Sequence, residues 1–167
     1  MNKRDIVIGF VILVVLAVVV LSLRRERTAS VPNLPQATPV SGEQKIESSF
    51  KVNIPDDVEK ADLKDVSGSD GIAIATRKFE NNTYTATVLA DISDPKAGEF
   101  YQAWVSKGDL KDSNSEFISL GKLKLAKGGW MIEFRSNTNY SDYKNVLISL
   151  ESTFDSKPET HILEGSF

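Results

Sequence analysis

Residues 83–91 read TYTATVLAD. Tyr84, Ala86, Val88 and Ala90 alternate with Thr83, Thr85, Thr87 and Leu89. A side-chain period of two places these sets on opposite faces of an extended chain, as in an antiparallel strand with one packed and one wetter face. The same period returns downstream. Trp130, Ile132 and Phe134 alternate with Met131, Glu133 and Arg135. Val146, Ile148 and Leu150 alternate with Leu147, Ser149 and Glu151, and Leu123 and Leu125 with Lys122 and Lys124. Turn-forming clusters separate the runs: Ser67-Gly68-Ser69-Asp70-Gly71, Glu80-Asn81-Asn82, Lys127-Gly128-Gly129 and Asp155-Ser156-Lys157-Pro158. Strands are expected near 50–54, 72–79, 83–91, 99–106, 116–125, 129–135, 145–152 and 160–164. The one helix-prone stretch among them is Asp56 to Lys64. Short strands in this number, with regular turns, predict an all-β domain over residues 50–167, an antiparallel β-sandwich of about seven or eight strands.

Upstream, the period disappears. Residues 6–23, IVIGFVILVVLAVVVLSL, form an uncharged apolar run of 18 residues. As a helix it spans about 27 Å, close to the hydrocarbon thickness of a bilayer. A signal peptide would have a shorter apolar region ending at small residues. Here Arg24-Arg25-Glu26-Arg27 follows directly, so residues 1–27 read as a retained single-pass anchor in contact with the lipid bilayer. Lys3 and Arg4 before the run nearly balance Arg24, Arg25 and Arg27 after it, so flanking charge alone leaves the topology open. Residues 28–49 carry Pro32, Pro35 and Pro39 among small and polar residues. They are expected to form a flexible linker, because they bury too little to offset the entropy of ordering.

Composition narrows the function classes. The chain holds 20 Lys+Arg and 23 Asp+Glu. Five of the former and two of the latter lie at or before Arg27, which leaves residues 28–167 near −6. That balance argues against a nucleic-acid partner. With no cysteine, disulfides, thiolate catalysis and cysteine metal sites are excluded. The single histidine, His161, cannot by itself build a metal cluster, and no motif supports it as a catalytic base. No catalytic, cofactor or metal residues are therefore assigned. Asp109, Asp112, Asn114 and Glu116 have loop spacing loosely like that of a calcium loop, but lack the glycine such a loop needs; they read as a solvated hairpin loop. Asn81-Asn82-Thr83 and Asn139-Tyr140-Ser141 match the glycosylation pattern, and Asn81-Asn82 is also a natural turn. Trp104 and Trp130 read as core. Partner contact is expected instead at Asp109, Asp112, Glu116, Tyr140 and Tyr143, where polar and aromatic residues gather outside any strand period.

Three stretches carry a family resemblance: FYQAWVSKGD at 100–109, ISLGKLKL at 118–125 and NVLISLESTFDSKPETHILEG at 145–165. Together, over about 71–165, they resemble the C-terminal domain of anti-sigma-K factors of the RskA type. Tyr101-Gln102-Ala103-Trp104-Val105 is similar to that family's Tyr-Gln strand, and Leu120-Gly121 to its following glycine. Ser149-Leu150-Glu151 and Ser156-Lys157-Pro158 are similar to its closing pattern, and Asp91 to Pro95 to its turn before the Tyr-Gln strand. The closing Gly-Gly is replaced by Thr153-Phe154-Asp155. The resemblance implies a plasma-membrane protein with an extracytoplasmic β-domain. Family members carry a sigma-binding domain before the membrane helix. Only five residues precede the run here, so direct sigma-factor binding is not expected. The expected role is that of a sensor or interaction domain that binds another envelope or membrane protein. A structural envelope component and, less favoured, an anchored hydrolase are the alternatives.

Overall fold

A computed structural model describes residues 41–112, 114–126 and 128–167. The apolar run at 6–23 and the linker up to residue 40 lie outside the described residues. Among the described residues no helix is long and apolar enough to cross a membrane.

Among the described residues one helix, α1 (Gly42–Phe50), precedes nine strands: β1 (Glu59–Asp65), β2 (Ile72–Glu80), β3 (Thr83–Asp91), β4 (Phe100–Lys107), β5 (Glu116–Lys122), β6 (Lys124–Ala126), β7 (Gly129–Ser136), β8 (Asn145–Glu151) and β9 (Thr160–Ser166). The antiparallel β class read from the period of two is the class observed. The strands form a single sheet in the order β5-β4-β8-β9-β1-β2-β3-β7-β6. Its two edge strands are consecutive in the chain, joined only by Leu123, whose N–H donates to Tyr101 O at 2.9 Å. The sheet therefore curls until its edges meet, and it is nearly closed. At Asn81 and Asn82 both φ angles are positive, 50° and 58°, the geometry of a tight hairpin whose twist matches its strands.

Three expectations are corrected. Residues 50–54 are not a strand; α1 ends at Phe50 and an irregular segment follows. The stretch 56–64 is not helical; most of it is β1, where Ala61 and Leu63 face the core between exposed Glu59, Asp62 and Lys64. The expected strand 116–125 is two strands, because the chain turns from one sheet edge to the other at Gly121 to Leu123.

The boundary expected between linker and domain at 49/50 falls inside α1. Ser41 caps this helix reciprocally: Gln44 N–H donates to Ser41 Oγ at 3.2 Å, and Ser41 N–H to Gln44 Oε1 at 3.3 Å. This capping box satisfies two amides that the helix itself leaves unpaired. Ile46 and Phe50, one turn apart, are fully buried and pack with Ile54, Ile74 and Leu89. The helix thus covers part of the outer face of β2 and β3.

The main core lies inside the curl and is built from small and branched residues: Ala73 and Ala75 of β2, Ala86, Val88 and Ala90 of β3, Ala103 and Val105 of β4, Val146 and Ile148 of β8. Trp130 faces this core as expected and meets Tyr101 edge-on, with ring centroids 5.6 Å apart. Trp104 is fully buried but points the other way. It belongs to neither apolar cluster, and its Nε1 donates to Ser149 Oγ at 2.7 Å.

Candidate binding surfaces

The residues expected to contact a partner lie at one end of the curl, on the β4–β5 and β7–β8 loops and, for Glu116, at the first residue of β5. Gly108 opens the first loop at φ +101°, and a Cβ there would meet Ser115 Oγ at 2.9 Å. Asp109 Oδ1 accepts from Lys111 N at 2.9 Å, and Asp112 Oδ1 accepts from Asn114 N at 2.9 Å and from its Nδ2 at 3.1 Å. Both carboxylates are thus used in shaping their own turns. They remain exposed.

The structure joins this loop to the second one. Tyr143 Oη donates to Glu116 Oε1, and Asn145 Nδ2 donates to Gly108 O at 2.6 Å. The Glu116 carboxylate holds the Tyr143 phenol in its protonated form and pushes its pKa up to about 12. Tyr140 meets Tyr143 edge-on at 5.6 Å and Tyr84 edge-on at 5.5 Å, and lies 6.1 Å from Phe134. Tyr140 and Tyr143 are consequently half-buried, and they pack against the core more than they reach outward. Of the five expected residues, Glu116 and Tyr143 are brought into contact, Tyr140 stands beside them, and Asp109 and Asp112 stay exposed on the β4–β5 loop without touching the other three.

Below these aromatics sits a group with no signal in the sequence. Arg77, 2% exposed, reaches Glu59 Oε2 through Nη2 at 2.7 Å and donates to Tyr143 O through Nη1 at 2.6 Å. Its guanidinium lies 4.0 Å from the centroid of the Phe167 ring. With Nε also donating to Glu59 Oε2 at 3.0 Å, four partial contacts compensate one buried charge, and they tie β1, β2, the β7–β8 loop and Phe167 together.

A second surface was not anticipated. Beside α1, residues 52–55 overhang the outer face of β2, β3 and β7 and leave a cleft of about 200 Å³. The strand register lays its floor in rows. Ile74, Leu89 and Met131 form an apolar row; Thr76, Thr87 and Glu133 form a polar one. The alternation that placed Thr87 and Glu133 outside was readable, but the overhanging segment that makes a cleft of them was not.

Candidate chemistry is sparse. His161 Nδ1 lies 2.6 Å from Glu164 Oε1, and His161 stands opposite Ser149 in the β8–β9 register. Ser149 Oγ, however, donates to Glu151 Oε1 and accepts from Trp104 Nε1. Burial pushes the Glu151 carboxyl up, against the hydrogen bonds from Ser149 and from Glu159 N at 3.0 Å. A hydroxyl already committed to two partners is poorly placed as a nucleophile. Among the described residues no group of three or more His, Asp or Glu side chains is arranged to hold a metal ion. No family model matches the chain, and neither does any curated protein or solved structure.

Proposed function

We propose that this chain is a membrane-anchored, extracytoplasmic interaction domain that acts by binding an envelope or membrane protein rather than by turnover. In this reading residues 6–23 hold it in the plasma membrane, and the curled sheet flattens into two facing layers in the manner of a β-sandwich. The resemblance to the C-terminal domain of anti-sigma-K factors supports envelope signalling as its setting. The observation that carries the reading is the junction of the β4–β5 and β7–β8 loops through Glu116–Tyr143 and Gly108–Asn145. Loops held by a rigid sheet are where binding residues are usually presented, and here two loops far apart in sequence form one rim.

The test is photo-crosslinking in cells from Asp112 and Asp142, exposed positions on the two loops. Both should trap the same envelope or membrane protein, and Lys51, exposed at the end of α1, should not. Adducts absent from both loop positions, or a sigma factor recovered in a direct pull-down, would overturn the reading.

A further inference from the structure

Gln102 and Trp104 of β4 and Ser149 and Glu151 of β8 share the outward side of the sheet, with Gln102 directly opposite Ser149, and all four are fully buried. Their contacts run as a chain. Trp104 Nε1 donates to Ser149 Oγ at 2.7 Å, Ser149 Oγ donates to Glu151 Oε1, and Gln102 Nε2 donates to Ser119 Oγ at 2.9 Å. Two acceptors are left over: Gln102 Oε1 and Glu151 Oε2 are buried with no hydrogen-bond partner among the described residues. Orphaned buried acceptors are costly, and here the cluster is one hydrogen short.

We propose that Glu151 is a neutral carboxylic acid in the folded domain, and that its proton latches the β8–β9 turn to the sheet. A hydrogen on Oε2 supplies one orphan and can be given to the other, because Gln102 is the diagonal neighbour of Glu151 across the β4–β8 pair. A neutral carboxyl also needs no cation, and none stands ready. Glu151 has no ion pair among the described residues. The turn after β8 brings Asp155 and Glu159 near it, both negative, and its Lys157 is exposed. On β9, His161 is taken by Glu164 at 2.6 Å. On β5, Lys122 holds its ammonium 3.4 Å from the centroid of the Phe100 ring. β4 offers only neutral Gln102 and Trp104. Burial accordingly pushes the Glu151 carboxyl up from its ordinary 4.5. Reversing the Gln102 amide would let Nε2 donate to an ionised Glu151, but it would leave a buried charge without a counter-charge.

The same carboxyl holds the turn. Glu151 Oε1 accepts from Glu159 N at 3.0 Å, and the Glu159 carboxylate accepts from Ser152 N at 3.0 Å and Thr153 N at 2.9 Å. Glu151 thus anchors a turn that closes on itself and lays Phe154 against Phe100, with ring centroids 6.4 Å apart. Ionisation adds a charge that the cluster does not balance. Swinging the side chain into water relieves it and gives up the bond to Glu159 N, so loss of the proton opens the turn. Its contribution to stability is fully present below 4.5 and is lost as pH rises through the raised value. The latch does not depend on which envelope partner the loops contact.

The experiment uses the full chain in detergent, with Glu151→Gln. That side chain keeps the shape, cannot ionise, and can donate to Gln102 Oε1 as the acid does. The carboxyl carbon of Glu151, assigned in NMR by its absence from the variant, should titrate with a midpoint above 4.5. Parent and variant should melt alike at about pH 5, and the parent should fall behind by about 4 °C or more at about pH 9. Over the same range the Glu159 amide should lose exchange protection in the parent and keep it in the variant. A carboxyl midpoint at or below 4.5 overturns the proposal. So does a melting gap that does not open with pH. A variant that fails to fold, or melts below the parent at both pH values, overturns it as well, since the ionised carboxylate would then be the form the fold needs. A gap that opens while Glu159 stays protected in the parent overturns the latch.

Discussion

Trp104 and Trp130 look alike in the sequence, each amid apolar strand residues, yet their surroundings differ. Trp104 is fully enclosed, with its indole N–H bonded to Ser149. Trp130 is half-buried at the rim of the core, edge-on to Tyr101. Trp104→Ala should therefore cost about 3–5 kcal/mol, the range for deleting a large buried ring, and it should also leave Ser149 without its donor. Trp130→Ala should cost clearly less. Glu133→Ala, exposed on the face away from the core, should stay within about 0.5 kcal/mol in dilute solution. Urea melts of a 41–167 fragment measure all three, and equal losses at Trp104 and Glu133 would refute the face assignment. The period of two was enough to place Trp130 and Glu133. It was not enough for Trp104, because β4 is buried on both faces and a continuous apolar run carries no phase. Arg77 was equally invisible: Glu59 meets it across the β1–β2 pair, and Tyr143 and Phe167 lie far along the chain and reach it only through the curl of the sheet.

At the scale of elements, α1 and β1 were misread for opposite reasons. The signals of α1 were present. Ser41-Gly42-Glu43-Gln44 is a capping-box pattern, and Ile46 and Phe50 are spaced for one helix face. The proline-rich composition just upstream outweighed them. In β1 the outward charges Glu59, Asp62 and Lys64 dominate seven residues, and only Ala61 and Leu63 report the buried face. The helix has a measurable consequence. A fragment beginning at residue 50 loses Ile46, fully buried in the parent, and uncovers Ile74 and Leu89. It should be less stable than the 41–167 fragment by at least about 2 kcal/mol, the scale for exposing one large aliphatic side chain. Ser41→Ala in the longer fragment should cost about 1 kcal/mol through the lost cap. Equal stability of the two fragments would show that α1 contributes nothing to the fold.

For the molecule as a whole, the way the sheet closes decides where it is weakest. Seven residues of β3 pair with β7 and nine with β2, but β1 and β9 share only Lys64–Glu164 and Asp65–Leu163, with Val66 N–H donating to Ile162 O at 3.0 Å. Among the described residues, the backbone pairing between the β2–β3 half and the β4–β8 half on that side runs through these few residues alone. Sequence periodicity locates strands but says nothing of which distant strands pair, so this seam could not be foreseen. Its closeness depends on Gly165. A Cβ there would sit 2.6 Å from Asp62 O and 3.2 Å from Leu63 Cα, both backbone atoms that cannot swing aside. Gly165→Ala should therefore push β9 from β1 and destabilise the domain by about 1–3 kcal/mol, as overpacking does. Because few backbone bonds hold the seam, its amides should also exchange by local opening at lower free energy than those of the β2–β3 ladder. In hydrogen exchange of the parent, Val66 should lose protection before Val88. In the variant that gap should widen, with β2–β3 protection falling only as far as global stability falls. Uniform protection across both regions of the parent would mean that the curl opens as one unit and that the two-pair seam is no weaker than the long ladders.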